Sequence, residues 1–207
     1  MKQTVFALVG FLMLWGPLVF LPGCTNSQAA TFPDNQLDQS ARESSLEKEL
    51  RTIMEKGISL DERKAQVFAI EQEFRKKTSP DRARNLAALC YFKTLGTIFT
   101  PFDLAEIALV ESGGHRLSSK ATSYMGAMGV WQLMPSQARH HGYTPEEMRD
   151  DEKCAEAAVR TLTQKLERAG GDLQKAKRLY CGRGPQADAY LKKISAVREI
   201  LTANLQP

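Results

Sequence analysis

The 207-residue chain predicts an all-α protein, and three observations predict it. From residue 46 onward apolar residues recur three and four apart, the period of a helix buried on one side. Most of these runs open on a capping residue or a proline, and several close on glycine. No stretch alternates polar with apolar residues as a half-buried strand does.

Taken in order, the first segment is a leader. Lys2 gives a positive start, and Val5 to Phe20 is almost unbroken apolar sequence, the pattern of a secretory signal. It ends in Leu21, Pro22, Gly23 and Cys24, which resemble a bacterial lipobox. The resemblance implies cleavage after residue 23, a lipid on the sulfur of Cys24, and a protein held on the periplasmic side of the envelope. Thr25, where aspartate would imply retention at the inner membrane, favours the outer one. The competing reading is an uncleaved membrane anchor, since the apolar run approaches the roughly 20 residues a spanning helix needs.

Residues 24–45 are polar and without hydrophobic period, a flexible tether with a root-mean-square span of roughly 25 Å. Residues 46–95 form an N-terminal helical region. Leu46, Leu50, Ile53 and Met54 make a first helix that stops at Gly57. Val67, Ile70 and Phe74 follow Asp61 in a second, and Pro80 with Asp81 opens a third through Leu86, Leu89, Cys90 and Phe92. The region is either an appendage to the main domain or part of the same core.

Residues 96–207 form the main domain. Thr100 and Pro101 are an N-cap and first-turn proline, Asp103 supports the first turn, and the helix runs on to Glu111. Thr144 with Pro145, Asp151 before "EKCAEAAVRTLTQKLERAGG", Asp172 before "LQKAKRLY", and Pro185 before "QADAYLKKISAVREILTANL" repeat the punctuation.

Within "ALVESGGHRL", Leu104, Ala108 and Glu111 are four and three apart and share one helix face. That face points inward. A carboxyl there loses hydration, and the helix C-terminus marked by Gly113 and Gly114 adds negative potential; both raise its pKa. A carboxyl protonated near neutral pH is what a general acid requires. The bland alternative is a glutamate that rims the core and reaches solvent or an arginine. In "GAMGVWQLMP", Gly126 and Gly129 allow close approach of a ligand or backbone. Gln132 offers a donor and an acceptor suited to an amide-bearing sugar. Read alone, Met128 and Trp131 are ordinary core filling.

Glu111 with Ser112, "GAMGVWQLMP", and "LYCGRGP" from Leu179 to Pro185 together resemble the catalytic domain of soluble-type lytic transglycosylases, lysozyme-like enzymes that cleave bacterial peptidoglycan. The resemblance covers roughly Pro101 to Ile200. It implies a lysozyme-like helical domain carrying the preceding helices as an extension. It implies that Glu111 is the single catalytic acid/base and Ser112 the neighbour supporting it. Gly126, Met128, Gly129 and Gln132 match the substrate-cleft motif, and Tyr180 matches the tyrosine of the family's Tyr-Asn pair. The asparagine is replaced by Cys181, and a second position that usually carries asparagine corresponds to Cys154.

If those two positions adjoin in the fold, as the resemblance suggests, Cys154 and Cys181 form a disulfide worth about 3 kcal/mol of chain entropy. Cys90 is then a buried free thiol, and the rival pairing joins Cys90 to one of the other two. With Cys24 lipidated, three cysteines remain in an oxidising compartment.

A single carboxylate must borrow its nucleophile, whereas most glycosidases flank the bond with two. The resemblance implies that the substrate's own N-acetyl oxygen attacks the anomeric carbon while Glu111 protonates the leaving oxygen. Glu111, now ionised, takes the proton of the muramoyl C6 hydroxyl, closing a 1,6-anhydro ring. Gln132 and Tyr180 would hold the acetamido group, and Met128 with Trp131 would line a water-excluding cleft. No cofactor is implied. His115, His140 and His141 have no accompanying ligand cluster, so no metal site is expected. The net charge of +4, of which Lys2 supplies one, is too small for a nucleic-acid partner and suits loose attraction to an acidic wall. Two alternatives stay open, a hydrolytic muramidase and a non-catalytic peptidoglycan-binding lipoprotein.

Overall fold

The computed structural model describes residues 35–205, with side chains from residue 42. The expected leader, the expected lipidation site Cys24 and residues 24–34 of the expected tether lie outside the described residues, whereas residues 35–45, also expected as tether, already belong to a helix. The described residues from Ala41 onward form one compact unit, and every site discussed lies within it.

Among the described residues eight α-helices account for the fold: α1 Asn35–Met54, α2 Leu60–Arg75, α3 Pro80–Thr94, α4 Pro101–Ser112, α5 Pro135–His140, α6 Asp151–Arg168, α7 Leu173–Cys181 and α8 Pro185–Ala203. Two short 3₁₀ turns, Gly113–His115 and Glu146–Arg149, continue α4 and precede α6. Among the described residues there is no strand, only isolated antiparallel bridges of Met128 with Thr122 and Leu133. No described helix is long and apolar enough to cross a membrane.

Local signals account for most boundaries. Ser59 caps α2 in a reciprocal capping box with Glu62, and Thr100 does the same with Asp103 for α4, each satisfying donors the helix leaves unpaired. Asp172 caps α7 through the Lys175 amide. Two expectations shift. Asp150, not Asp151, caps α6, accepting from the amides of Glu152 and Lys153. Thr144 and Pro145 introduce a single 3₁₀ turn. α5, six residues long, is too short to show a period.

The region before residue 96 divides sharply. Leu46, Leu50 and Ile53 on α1 are exposed. Ile70, Phe74, Leu86 and Cys90 on α2 and α3 are fully buried in the same core as Leu104, Ile107, Trp131, Leu162 and Leu201. α2 and α3 are therefore part of the main domain's core and not an appendage to it. Arg63 of α2 holds them there. Its guanidinium, 0 % exposed, donates to the carbonyls of Lys56 at 2.6 Å, Phe99 at 3.0 Å, and Thr94 and Thr97 at 3.3 Å. A buried cation with this many acceptors is solvated by backbone in place of water, and it fixes the loop that launches α4.

α4 is central, packing on α2, α3, α6 and α8, and is buried from Pro101 to Ala108. That burial includes two carboxylates. Asp103, 2 % exposed, and Glu106, 0 % exposed, meet Lys177 of α7 and Arg198 of α8. Lys177 Nζ lies 2.7 Å from Asp103 and also pairs with Glu106. Arg198 Nε lies 2.7 Å from Glu106 and its terminal nitrogen reaches Asp103. Two anions face two cations. Burial raises the Asp103 carboxyl, but the charges of Lys177 and Arg198 outweigh it and hold the pKa below the usual carboxylate range. For Glu106 burial wins and the pKa is raised. The cluster ties the first turns of α4 to α8 and to α7, whose end carries the opposite wall of the site.

Candidate functional site

At its C-terminal end α4 delivers Glu111 into a cavity of about 400 Å³. The far wall comes from Leu179, Tyr180, Cys181 and Gly182 at the end of α7. The floor and near wall come from the 123–137 loop and α5, through Ser123, Met125, Ala127, Gln132, Met134, Ser136 and Gln137, with Lys165 of α6 at the side. Leu104 and Ala108 on the same face of α4 are buried, so the spacing argument for an inward Glu111 holds. Among the described residues Glu111 is the only carboxylate in this wall. Burial raises its pKa to about 7, against smaller lowering contributions from the Tyr190 hydroxyl and the Lys193 ammonium. Unlike Asp103, it has no cation within ion-pair distance among the described residues.

Sequence reasoning did not single out Tyr190. The side chain, on α8, is 6 % exposed. Its hydroxyl makes no hydrogen bond of full geometry with any described atom, and the polar group it chiefly interacts with is Glu111. The only signal was its place on the face of α8 shared with Ala187 and Ile194, which argues for burial and says nothing of what it meets.

The loop is built by backbone pairing and two anchors. Met128 and Leu133 exchange amide-to-carbonyl bonds of 2.9 and 3.0 Å, and the Gly129 amide donates to the Ala121 carbonyl at 2.9 Å. Trp131 is fully buried and donates from Nε1 to the Leu104 carbonyl at 2.9 Å, fastening the loop to α4. Tyr180 donates its hydroxyl to the Trp131 carbonyl at 3.0 Å, fastening α7 to the loop. Gly129 has φ +79°, and a Cβ there would lie 2.1 Å from the Met148 carbonyl oxygen and 2.8 Å from Cys154 Sγ; only glycine fits. Gln132 holds φ +50° without being glycine, a conformation that carries a strain cost. Its Nε2 donates to the Gly129 carbonyl at 2.7 Å and more weakly to Ala121.

The expected site residues thus separate. Glu111, Gln132, Tyr180 and Cys181 line one cavity. Ser112 does not: it is fully buried and its hydroxyl donates back to the Ala108 carbonyl at 3.2 Å, a helix-terminal role. Gly126 turns the chain with φ +83° and has open space where a Cβ would be. Gly129 admits protein, not ligand, and Met128 and Trp131 belong to the core. The apolar lining expected from those two is supplied instead by Met125, Ala127 and Met134. Gln132 and Tyr180 have both committed their donors to backbone carbonyls, which leaves acceptors to face a ligand.

The expected disulfide is absent. Cys154 and Cys181 are both free, as is Cys90. Cys154, in the first turn of α6, is fully buried behind Gly129 and interacts with the backbone of Trp131 and Val130. Cys181 is exposed at the cavity edge. The loop and its anchors separate the roles of the two thiols, one core filling and one cleft wall. Burial raises both, Cys154 to about 12. No group of three or more histidine, cysteine or acidic residues among those described is arranged to hold a metal.

Helices α4, α7 and α8, a loop held between them, and one half-buried glutamate at the end of α4 make up this arrangement. Residues 99–193 match the Transglycosylase SLT domain family. The SLT match opens just before the α4 cap and ends within α8, so it contains Glu111, the whole cavity wall and Tyr190. It leaves α2, α3 and Arg198 outside. No curated protein matches the chain.

Proposed function

We propose that the protein is a lytic transglycosylase that cleaves the β-1,4 bond between N-acetylmuramic acid and N-acetylglucosamine in peptidoglycan, with Glu111 as its sole acid and base. The observation that carries this reading is a lone carboxyl in a cavity, with its pKa raised by burial to about 7. Such a group is protonated in a useful fraction at neutral pH and can give that proton to the glycosidic oxygen. With no second carboxylate among the described residues of the wall to serve as nucleophile or base, the acetamido oxygen of the substrate attacks the anomeric carbon as the bond to the leaving sugar breaks. The carboxylate left on Glu111 then accepts the C6 hydroxyl proton, the C6 oxygen attacks the anomeric carbon and breaks its bond to the acetamido oxygen, the 1,6-anhydro ring closes with the acetamide regenerated, and the carboxyl is restored. No water is consumed. Gln132 Oε1 accepts from the acetamido N–H, and the methionine-lined loop keeps bulk water from the anomeric centre.

The leader motif supports placement at the periplasmic face of the envelope through lipid on Cys24, favouring the outer membrane, with the folded unit reaching the wall on its tether.

Glu111→Gln keeps the shape and removes the proton. It is expected to lower cleavage of purified sacculi by a factor on the order of 10³, the scale of general acid catalysis. Mass spectrometry of the wild-type products separates the chemistries: anhydro-muramoyl ends support the transglycosylase, and ends heavier by one water identify a hydrolytic muramidase.

A further inference from the structure

Beside the cleft lies a second cavity, of about 570 Å³, walled by Lys165, Arg168, Lys175, Arg178 and Arg183 together with Leu179 and Gly182. Among the described residues no carboxylate lines it. Of its five cations only Arg178 is paired, with Asp188 at 2.6 Å; the other four have no ion-pair partner among the described residues. Burial and the charges of Arg168 and Arg183 depress the Lys165 pKa, the mark of cations crowded without an anion. Lys165, Leu179 and Gly182 also belong to the Glu111 cavity, so the two spaces share a wall.

We propose that this basic cavity binds the free carboxylates of peptides attached to the glycan strand, making the protein selective for peptide-bearing peptidoglycan. The inference rests on the reading of the Glu111 cleft as the glycan site. In that polymer each muramoyl residue carries its peptide on the sugar ring, so a ring seated at Glu111 sends its peptide out beside the cleft. The shared wall at Lys165 and Gly182 is where such a substituent leaves one cavity for the other. An anion entering relieves the repulsion among the four unpaired cations, which favours its binding. The shape argues against a lipid surface, because a flat array of headgroups cannot follow a concavity.

The test uses the full chain and two glycan preparations of equal length, one bearing peptides and one stripped of them by an amidase. Arg168, Lys175 and Arg183 are exposed, so Arg168→Gln/Lys175→Gln and the single Arg183→Gln should unfold at the wild-type temperature. The readout is the ratio of cleavage rates on the two preparations, with co-sedimentation of the same strands measured in parallel. Wild type should prefer peptide-bearing strands, and the double variant should lose five- to tenfold of that preference, on the scale of two exposed ion pairs. Arg183→Gln should lose a smaller part. High salt should shrink the wild-type preference likewise. A preference that is absent in wild type, or unchanged in the double variant, overturns the proposal while leaving Glu111 chemistry intact. If wild type cleaves neither preparation, the transglycosylase reading fails, and peptide-dependent sedimentation lost in the double variant still supports the carboxylate site. Binding to vesicles of anionic phospholipid that vanishes in the double variant, with glycan preference unaltered, overturns the proposal in favour of a lipid surface.

Discussion

The two ends of α4 treat the same functional group in opposite ways. At the N-terminal end Asp103 and Glu106 are more deeply buried than Glu111, yet each meets Lys177 and Arg198. At the C-terminal end Glu111 is half-buried and has no ion-pair partner among the described residues, facing the Tyr190 hydroxyl, which forms no proper hydrogen bond, and more weakly the Lys193 ammonium. Burial by itself therefore does not make an acid. Buried cations hold Asp103 low, whereas Glu106 with the same partners is still raised by burial; what sets Glu111 apart on this helix is that its raised carboxyl lines a cavity and has no ion-pair partner among the described residues.

The largest effect that would probe this contrast is removal of a cation from the paired end. Lys177→Met keeps the apolar stem and leaves two buried carboxylates facing one arginine, and it should cost roughly 3–5 kcal/mol in urea unfolding at pH 7. A loss below about 1 kcal/mol would mean that Arg198 and backbone suffice, and the contrast would lose its cause.

Next in size is the pH dependence of stability at the unpaired end. The Glu111 carboxyl titrates near 7 in the folded chain against 4.5 as its ordinary value. Between those values the folded chain keeps a proton that the unfolded chain has shed, so stability falls as pH rises through that window, by at most about 3 kcal/mol. Glu111→Gln should abolish the fall. Its unfolding temperature should match wild type at pH 4 and exceed it at pH 8. Asp103 runs the other way: its contribution is present above the ordinary carboxylate range and is lost as pH drops through its lowered folded value. Equal melting of Glu111→Gln and wild type at pH 8 would show the carboxyl to be hydrated.

Smallest is the hydroxyl itself. Tyr190→Phe removes the first lowering influence on Glu111, so the falling limb of kcat/KM should move to higher pH. Stability should hardly change, since the hydroxyl being deleted has no well-formed bond to lose.

The sequence carried the local part of this. Thr100, Pro101 and Asp103 announce the start of α4 because a capping box is written within four residues, and the inward facing of Glu111 follows from period alone. The partners were not legible. Lys177 and Asp103 lie 74 residues apart, and nothing in either segment marks them as a pair, so Asp103 reads as a first-turn acid and Glu106 draws no notice. The same limit misplaced Met128 and Trp131. Their residue types suit a core or a cleft equally well, and only the bond from Trp131 to the Leu104 carbonyl decides it. Cys154 and Cys181 illustrate it once more, because facing is a tertiary fact even where two positions look coupled along the chain.

Arg63 bears on where this chain can be cut. Its guanidinium gathers oxygens from Lys56 through Phe99, while Arg198, on the far side of the family boundary at residue 193, neutralises acids on α4. A fragment trimmed to the recognisable segment would forfeit a clamp at each edge, so likeness between sequences outlines a smaller object than the one that melts as a whole.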